Sequence, residues 1–164
     1  MGRHDASIWQ RWVIKPVMAQ LTQGAEPGRL ALAIAVGVTT GVFPLLGTTI
    51  LLSLAISIPL KLNQPVLQLF RELVYPIHLA TILVFMRAGE TLFGAPHVPL
   101  SLRLLRDRFL VSPGKFFTDF GLIALYAIAV WALIAPVIMA VTYFLARPLL
   151  RRVASRTGSP TLPE

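Results

Sequence analysis

The sequence contains no cysteine, and only 7 of its 164 residues are Asp or Glu. A chain without cysteine forms no disulfide and offers no thiol nucleophile or thiolate metal ligand. Charged residues of both signs make up 13% of the chain, whereas hydrophobic residues make up 55%, and the mean hydropathy is +0.72. A water-soluble domain of this length needs many more charges to cover its surface. The composition therefore predicts an integral membrane protein.

Recognisable enzyme motifs are also missing. The sequence has no Gly-x-Ser-x-Gly nucleophile elbow, no phosphate-binding loop and no dinucleotide fingerprint. Its histidines, His4, His78 and His97, are isolated and lack the spacing of metal ligands. Acidic residues are scattered, and only Glu72 lies inside a long apolar run. We therefore expect a protein that is not an enzyme, with no catalytic residues, no metal and no cofactor.

Lys and Arg number 15 and give the chain a net charge of +8. A charge of this size can indicate nucleic-acid binding. Here, however, the basic residues flank apolar segments, as they do at the cytoplasmic ends of membrane helices, where anionic headgroups attract them. We expect membrane lipids rather than nucleic acid as partners. The basic residues expected to face lipid headgroups are Arg11, Lys15, Arg147, Arg151 and Arg152.

The first long apolar run is Leu30–Leu60, which contains no charged residue. As one straight helix it would be roughly 46 Å long, which exceeds a ~30 Å hydrocarbon core, yet it is too short for two spans of ~20 residues each. Glycine and proline near its centre predict a helix–turn–helix that enters the membrane and returns to the same face, a re-entrant hairpin. A single tilted, kinked span is the alternative. The residues that define this hairpin are Gly37, Gly41, Phe43, Pro44 and Gly47.

Small residues recur four apart on both arms of the predicted hairpin. Gly37 and Gly41 form a small-xxx-small pair on the first arm, and Ser53 and Ser57 form a similar face on the second. Small side chains let the backbones of two helices approach closely. Both faces are therefore expected to pack against another helix.

The second apolar run follows a turn in which Asn63 is expected to cap a helix and Pro65 to occupy its first turn. Pro76 should disturb that helix, because its nitrogen cannot donate a hydrogen bond to the carbonyl of Glu72. Polar side chains recur along the helix at spacings that place them on one face. We call this set, with the neighbouring Glu72, the polar stripe; it comprises Gln64, Gln68, Arg71, Glu72, Tyr75 and His78.

The polar stripe has two interpretations. Polar residues in an apolar helix face a partner helix or water rather than lipid, so the stripe either lines a water-filled path or makes interhelical hydrogen bonds that hold the fold. Arg71 and Glu72 are adjacent, and successive helical residues diverge by about 100°. We therefore expect no pair between them, and we predict that Glu72 has a partner on another helix, such as Arg71 of a second subunit.

The remaining segments complete a predicted all-α membrane protein. A Gly- and Pro-rich stretch from Arg87 is expected to form a loop, followed by a short basic amphipathic helix at residues 101–110. Residues 116–146 predict a C-terminal transmembrane helix with a kink at Pro136. The predicted divisions are a basic amphipathic N-terminal helix and turn at 1–29, a helical membrane domain at 30–146 and a basic cytoplasmic tail at 147–164.

Basic residues at both ends of the chain predict that both termini are cytoplasmic, in a multi-pass protein of the bacterial inner membrane. This requires an even number of crossings. An even number results if the first apolar run is re-entrant and the second run and the C-terminal helix each cross the membrane once. This topology leaves the basic residues of the 87–119 segment on the outer side of the membrane. The alternative places that segment inside and makes residues 122–146 a second re-entrant pair.

Several motifs resemble those of a bacterial membrane family known as domain of unknown function 2062. They are Gly37-x-x-x-Gly41-Val-Phe-Pro44-x-x-Gly47-Thr-Thr, then Leu60-Lys-Leu-Asn63-Gln-Pro65, Tyr75-Pro76 and Arg87-Ala-Gly89-Glu90. The tail ALIAPVIMAVTYFLARPLLRRV is similar to the closing helix of one branch of the family. The resemblance covers most of residues 9–153 and implies this architecture, but it brings no established activity. Many members have Asn-Pro-x-Thr where this chain has Tyr75-Pro76-Ile77-His78.

Two functions from different classes are compatible with the sequence. The first is a small transporter or channel-like protein in which the hairpin and the polar stripe line a path for an unknown substrate. Because so few helices cannot enclose a pore, this function predicts a homo-oligomer. The second is a non-catalytic membrane module that organises lipids or envelope proteins. The two differ in whether Arg71, Glu72 and His78 lie in a wet cavity or are paired and dry.

Overall fold

A computed structural model describes residues 26–45, 47–96 and 110–157 of the chain, together with Lys15 and Ala19. Within these residues all regular structure is α-helical and no strand occurs. Several predictions lie outside the described residues, namely the N-terminal helix with Arg11, the loop around His97, most of the helix at 101–110, and the tail beyond residue 157. Lys15 itself is helical and exposed.

The described residues form four helices with defined bounds. They are α1 (Pro27–Gly41), α2 (Thr49–Ser57), α3 (Gln64–Leu92) and α4 (Pro113–Thr157). The break between α1 and α2 contains Phe43, Pro44 and Gly47 of the predicted set, whereas Gly37 and Gly41 lie inside α1. Gly47 has a φ of +81°, a conformation that residues with a Cβ rarely adopt. At the start of α3, the Asn63 side chain accepts a hydrogen bond from the Val66 N–H at 3.1 Å. The predicted cap is confirmed.

Helix α1 packs against each of the other three helices. One apolar cluster joins Leu30 and Ile34 of α1 to Leu62, Val66 and Leu150. A second cluster, at the opposite end of α1, contains Val42, Phe85, Ala127 and Val130. Because Leu30 and Leu62 belong to the same cluster, the outer ends of the α1–α2 hairpin meet near the C-terminal end of α4.

The glycines of α1 allow it to lie directly on the backbone of α3. A Cβ at Gly37 would overlap the carbonyl oxygen of Leu67, and a Cβ at Gly41 would lie 3.2 Å from the carbonyl oxygen of Arg71. The close helix contact predicted for this pair is present, and it is made within one chain. Gly89 serves the same purpose between α3 and α4, since its Cβ would lie 2.8 Å from the backbone of Tyr126.

Helix α3 is longer than predicted. The prediction of a loop from Arg87 is wrong, because the helix continues to Leu92. Two contacts keep this extra turn helical: Gly89 packs on Tyr126, and Arg87 Nη1 donates to Glu90 Oε2 at 2.7 Å on the same helix face. The helix nevertheless bends by 67° between its arms Gln64–His78 and Ala80–Leu92, next to Pro76, which lacks the backbone donor.

Helix α4 contains 45 residues and runs without interruption through Pro136 and Pro148. The division predicted at 147 coincides with no break in the helix, and Leu150 is buried in the first cluster. By length and composition, Phe120–Ser155 is able to cross a membrane, and the two arms of α3 taken together would form a second such segment. No other helix in the described part of the chain is both long enough and apolar enough to cross a membrane.

Some polar side chains are buried among the apolar core residues, and many large apolar side chains are exposed at the surface. Seven polar or charged residues are buried, namely Thr39, Thr40, Ser53, Ser57, Arg71, His78 and Glu90. Large apolar side chains are exposed along α2, α3 and especially α4, where only 22% of the most apolar 18-residue stretch is buried. The outward face of α4 includes Leu125, Leu133, Val137, Val141 and Phe144.

Candidate functional site

Three backbone carbonyls at the tip of the α1–α2 hairpin have hydrogen-bond partners, two of them side chains from α3 and α4. The last carbonyls of a helix have no partner within it. Here the Thr39 carbonyl accepts a hydrogen bond from Trp131 Nε1 at 3.1 Å, and the Thr40 carbonyl accepts one from the Phe43 N–H at 3.2 Å. The Phe43 carbonyl lies 2.6 Å from His78 Nε2. Because a carbonyl only accepts, Nε2 of His78 carries the hydrogen.

Trp131 was missed by the sequence reasoning, although it holds the tip in two ways. Besides its hydrogen bond to Thr39, its ring meets the Phe43 ring edge-on at a centroid distance of 4.9 Å. A tryptophan near the middle of an apolar segment, away from both interfaces, is the signal that could have marked it, since its indole N–H requires an acceptor there.

The first two residues of the polar stripe bond to the second arm of the hairpin. Gln64 Nε2 donates to Ser57 Oγ at 2.7 Å, and Gln68 Nε2 lies 3.5 Å from Ser53 Oγ. The serines predicted as a small face are thus also acceptors. For Gln64 and Gln68, these contacts support the interpretation that the stripe makes interhelical hydrogen bonds.

Arg71 and Glu72 form an ion pair, so the prediction that adjacent residues would not pair is wrong. Arg71 Nη2 donates to Glu72 Oε1. Both side chains have several rotatable bonds, so they curl around the helix and overcome the divergence of their Cα–Cβ directions. Arg71 is only 8% exposed, whereas the Glu72 side chain is 60% exposed. Arg71 Nη1 is buried and has no partner among the described residues.

The rest of the polar stripe lines a cavity under the hairpin tip, which we call the tip cavity. Its volume is about 220 Å³. The described residues that line it are Gly41, Gly47, Thr49 and Ile50 from the hairpin, and Arg71, Glu72, Tyr75 and His78 from α3. The structure therefore divides the stripe: Gln64 and Gln68 hold α2, and the other four residues surround a space large enough for water.

The hairpin side of the tip cavity contains the first residues of α2. Thr48 precedes this helix, and its side chain makes no capping hydrogen bond. The first α-helical backbone bond runs from the Leu52 N–H to the Thr48 carbonyl at 2.9 Å, so the N–H groups before it have no acceptor within the helix. Thr49 and Ile50 bring this positive end of the helix dipole to the cavity wall.

A second, larger cavity of about 540 Å³ lies between the start of α1 and the C-terminal half of α4. We call it the basic groove. Its charged residues are Glu26, Arg29 and Arg147, and its apolar wall includes Leu32 and Met139. The Arg147 guanidinium lies 5.7 Å from the centre of the Tyr143 ring, as in a cation–π contact.

No metal site is formed by the described residues, because no group of at least three His, Cys, Asp or Glu side chains comes together there. His78 is the one histidine in this part of the chain. Its Nε2 is engaged with the Phe43 carbonyl.

Comparison with known proteins places residues 10–158 in a bacterial family described as an uncharacterized protein conserved in bacteria, DUF2062. The chain belongs to the DUF2062 family. This match confirms the resemblance carried by the glycine, proline and asparagine motifs. No curated protein and no solved structure matches the chain significantly.

The motifs that carry the resemblance contribute to helix packing, to a helix cap and to the tip of the hairpin. The glycines pack α1 on α3, Gly47 forms the tip, and Asn63 caps α3. At the position where this chain departs from the Asn-Pro-x-Thr pattern, His78 donates to the hairpin tip and Tyr75 borders the cavity.

Proposed function

We propose that this protein is an integral membrane protein whose tip cavity is a solute site of a small transporter or channel-like protein of the bacterial inner membrane. The observation that carries the proposal is the tip cavity itself. It places an arginine, a glutamate, a tyrosine and a histidine beside a break between two helices, in a molecule that exposes many large apolar side chains. Ionisable groups inside membrane proteins typically face a water-filled cavity or a solute path.

The arrangement of the hairpin supports its insertion in a membrane. Non-helical backbone is tolerated at membrane depth only where protein or water satisfies it. The carbonyls of Thr39, Thr40 and Phe43 all have partners at the tip. Helix α1 would be roughly 22 Å long at 1.5 Å per residue, shorter than a ~30 Å hydrocarbon core. The hairpin then enters from one face and returns to it, as a re-entrant element.

The exposed apolar face of α4 favours contact with lipid or with a second copy of the chain. Leu133, for example, is 69% exposed. One chain offers few helices with which to enclose a path, so the proposal includes a homo-oligomer in the membrane. The activity is movement of a solute, not the making or breaking of covalent bonds.

Cysteine labelling tests this function directly, because the natural chain has no cysteine. Thr49→Cys places a thiol in the wall of the tip cavity, and Leu133→Cys places one on the outward face of α4 as a control. In membrane vesicles, Thr49→Cys should react with a water-soluble methanethiosulfonate reagent, and Leu133→Cys should not. A path further requires labelling from both sides of the membrane. If Thr49→Cys is labelled from neither side of the membrane, the cavity is dry and the transport proposal fails.

The basic groove favours the second candidate, a membrane module that binds lipid. Arg29 and Arg147 provide positive charge beside an apolar wall, a combination that suits an anionic headgroup and its acyl chain. Arg147 Nε is buried and has no partner among the described residues. Phosphatidylglycerol should raise the Tm of the detergent-solubilised protein more than phosphatidylcholine does. The double change Arg29→Gln with Arg147→Gln should remove that difference, whereas Lys61→Gln should keep it.

A further inference from the structure

We infer that the tip cavity binds a small oxyanion, a carboxylate or a phosphate group, which replaces Glu72 on the guanidinium of Arg71. This inference rests on the proposed function and names the class of its solute. Two independent features of the cavity wall point to a negatively charged ligand.

The first feature is the incomplete coordination of Arg71. Its side chain is more than nine-tenths buried, and arginine is cationic in proteins. One terminal nitrogen, Nη2, donates to Glu72, while the other, Nη1, is buried with no partner among the described residues. A planar guanidinium is built to hold two oxygens of one carboxylate or phosphate side by side. Arg71 therefore has one donor site that its present partner leaves unused.

The second feature is the uncapped N-terminus of α2. Thr48 makes no side-chain cap, and Thr49 and Ile50 line the same cavity as Arg71. Backbone N–H groups at a helix N-terminus and the helix dipole favour an anion. Broken helices in membrane transporters use their N-terminal ends in this way. An oxyanion in the tip cavity would contact Arg71 from α3 and the first turn of α2 from the hairpin.

Glu72 is the group that such a ligand displaces. Its carboxylate already occupies Arg71, but its side chain is 60% exposed and is held by no other hydrogen bond in the described structure. A solute carboxylate offers Arg71 the same chemistry and can in addition contact the end of α2. Removing the charge of Glu72 should therefore strengthen anion binding, whereas removing the charge of Arg71 should abolish it.

Two methanethiosulfonate reagents of similar size and opposite charge, a sulfonate and a quaternary ammonium, measure this preference at Thr49→Cys. The protein is reconstituted in phosphatidylcholine vesicles at fixed ionic strength. The sulfonate should react faster, and the ratio of the two rates should fall about tenfold with Arg71→Gln, which corresponds to a loss of about 1.4 kcal/mol. The ratio should rise with Glu72→Gln. Only the monodisperse, folded fraction of each variant is reconstituted, because an unfolded chain would expose the thiol to both reagents and lower the ratio by itself.

Competition separates the two sources of such an anion. Sodium acetate and inorganic phosphate should slow labelling of Thr49→Cys relative to sodium chloride, and more strongly with Glu72→Gln. If phosphatidylglycerol in the vesicles protects the thiol and the soluble anions do not, the oxyanion comes from a lipid headgroup.

The outcomes also distinguish this inference from the proposed function. Equal rates for both reagents, unchanged by Arg71→Gln and Glu72→Gln, would show a wet cavity with no preference for anions and would overturn the inference alone. If Arg71→Gln fails to fold, the Glu72→Gln variant tests the inference instead. A lower or unchanged ratio of the two rates in that variant contradicts the replacement of Glu72 by an oxyanion on Arg71. A thiol that reacts with neither reagent contradicts the proposed function itself.

Discussion

At the scale of single residues, Arg71 is the side chain on which the proposed function depends most. Placing arginine at the centre of a bilayer costs on the order of 3 kcal/mol even on the most lenient insertion scale. In a membrane, the pairing of Arg71 with Glu72 and its burial beside the tip cavity would reduce that cost. The pair is local, within one helix turn, so it requires no second subunit. Because Nη1 is left over, the pair neutralises charge without using every donor.

Glycine at position 37 provides a prediction at the same scale. A methyl group there meets the Leu67 carbonyl, so Gly37→Ala should force α1 away from α3 and lower the stability by about 1–3 kcal/mol. Gly121 lies in helix α4, where an added Cβ meets nothing within 4 Å. Gly121→Ala should therefore be neutral or stabilise the protein by about 0.5–1 kcal/mol through helix propensity.

The measurement is thermal unfolding of both variants in a mild detergent. A lower Tm for Gly37→Ala together with an unchanged or higher Tm for Gly121→Ala is the expected result. Equal Tm values for the two variants would mean that α1 and α3 are not in backbone contact.

At the scale of elements, α2 is the least self-sufficient helix. It contains 9 residues and has no side-chain cap. Isolated helices of this length are marginal in water, so its position depends on neighbours. The bonds from Gln64 and Gln68 to its serines tie it to the start of α3, which makes the placement of α3 a condition for the shape of the tip cavity.

The cap of α3 can be tested by Asn63→Ala. Loss of the side-chain acceptor for the Val66 N–H should destabilise the protein by about 1 kcal/mol. Asn63→Asp retains an acceptor at the same position and should preserve most of the stability. Chemical unfolding followed by circular dichroism compares the three proteins. If the aspartate variant is as unstable as the alanine variant, the cap is not the source of the effect.

At the scale of the whole molecule, the packing of the hairpin on α4 fixes which helix ends lie together. Leu30 and Leu62 share one apolar cluster with Leu150, so both outer ends of the hairpin lie at the C-terminal end of α4. The tip is held by Trp131 and His78 farther along the bundle. If the protein lies in a membrane with α4 across it, the two outer ends of the hairpin must lie on the same side of the membrane as the C-terminal end of α4.

This geometry predicts the sidedness of three single cysteines. Arg29→Cys and Lys61→Cys should both be labelled by an impermeant thiol reagent from one side of the membrane. Thr118→Cys, an exposed position near the start of α4, should be labelled from the other side. Labelling of Arg29→Cys and Lys61→Cys from opposite sides would contradict the re-entrant hairpin and favour a single kinked span.

The sequence by itself determined the helical class, the break in the first run and the start of α3. These features follow from local chemistry: glycine and proline interrupt helices, and an asparagine before a proline caps one. It also identified the polar stripe, because helical periodicity needs no knowledge of partners. It failed at the end of α3, where packing of Gly89 on Tyr126 keeps residues helical that their composition assigns to a loop.

Only the tertiary structure decided what each member of the polar stripe does. Gln64 and Gln68 became hydrogen-bond donors to the serines of α2, whereas Arg71, Glu72, Tyr75 and His78 came to line a cavity. The contacts of Trp131 and His78 with the hairpin tip join residues that are 92 and 35 positions apart in the chain. Periodicity places side chains on a face of their own helix, but the group opposite that face depends on how the helices pack. The partner of each buried polar atom is therefore a property of the fold.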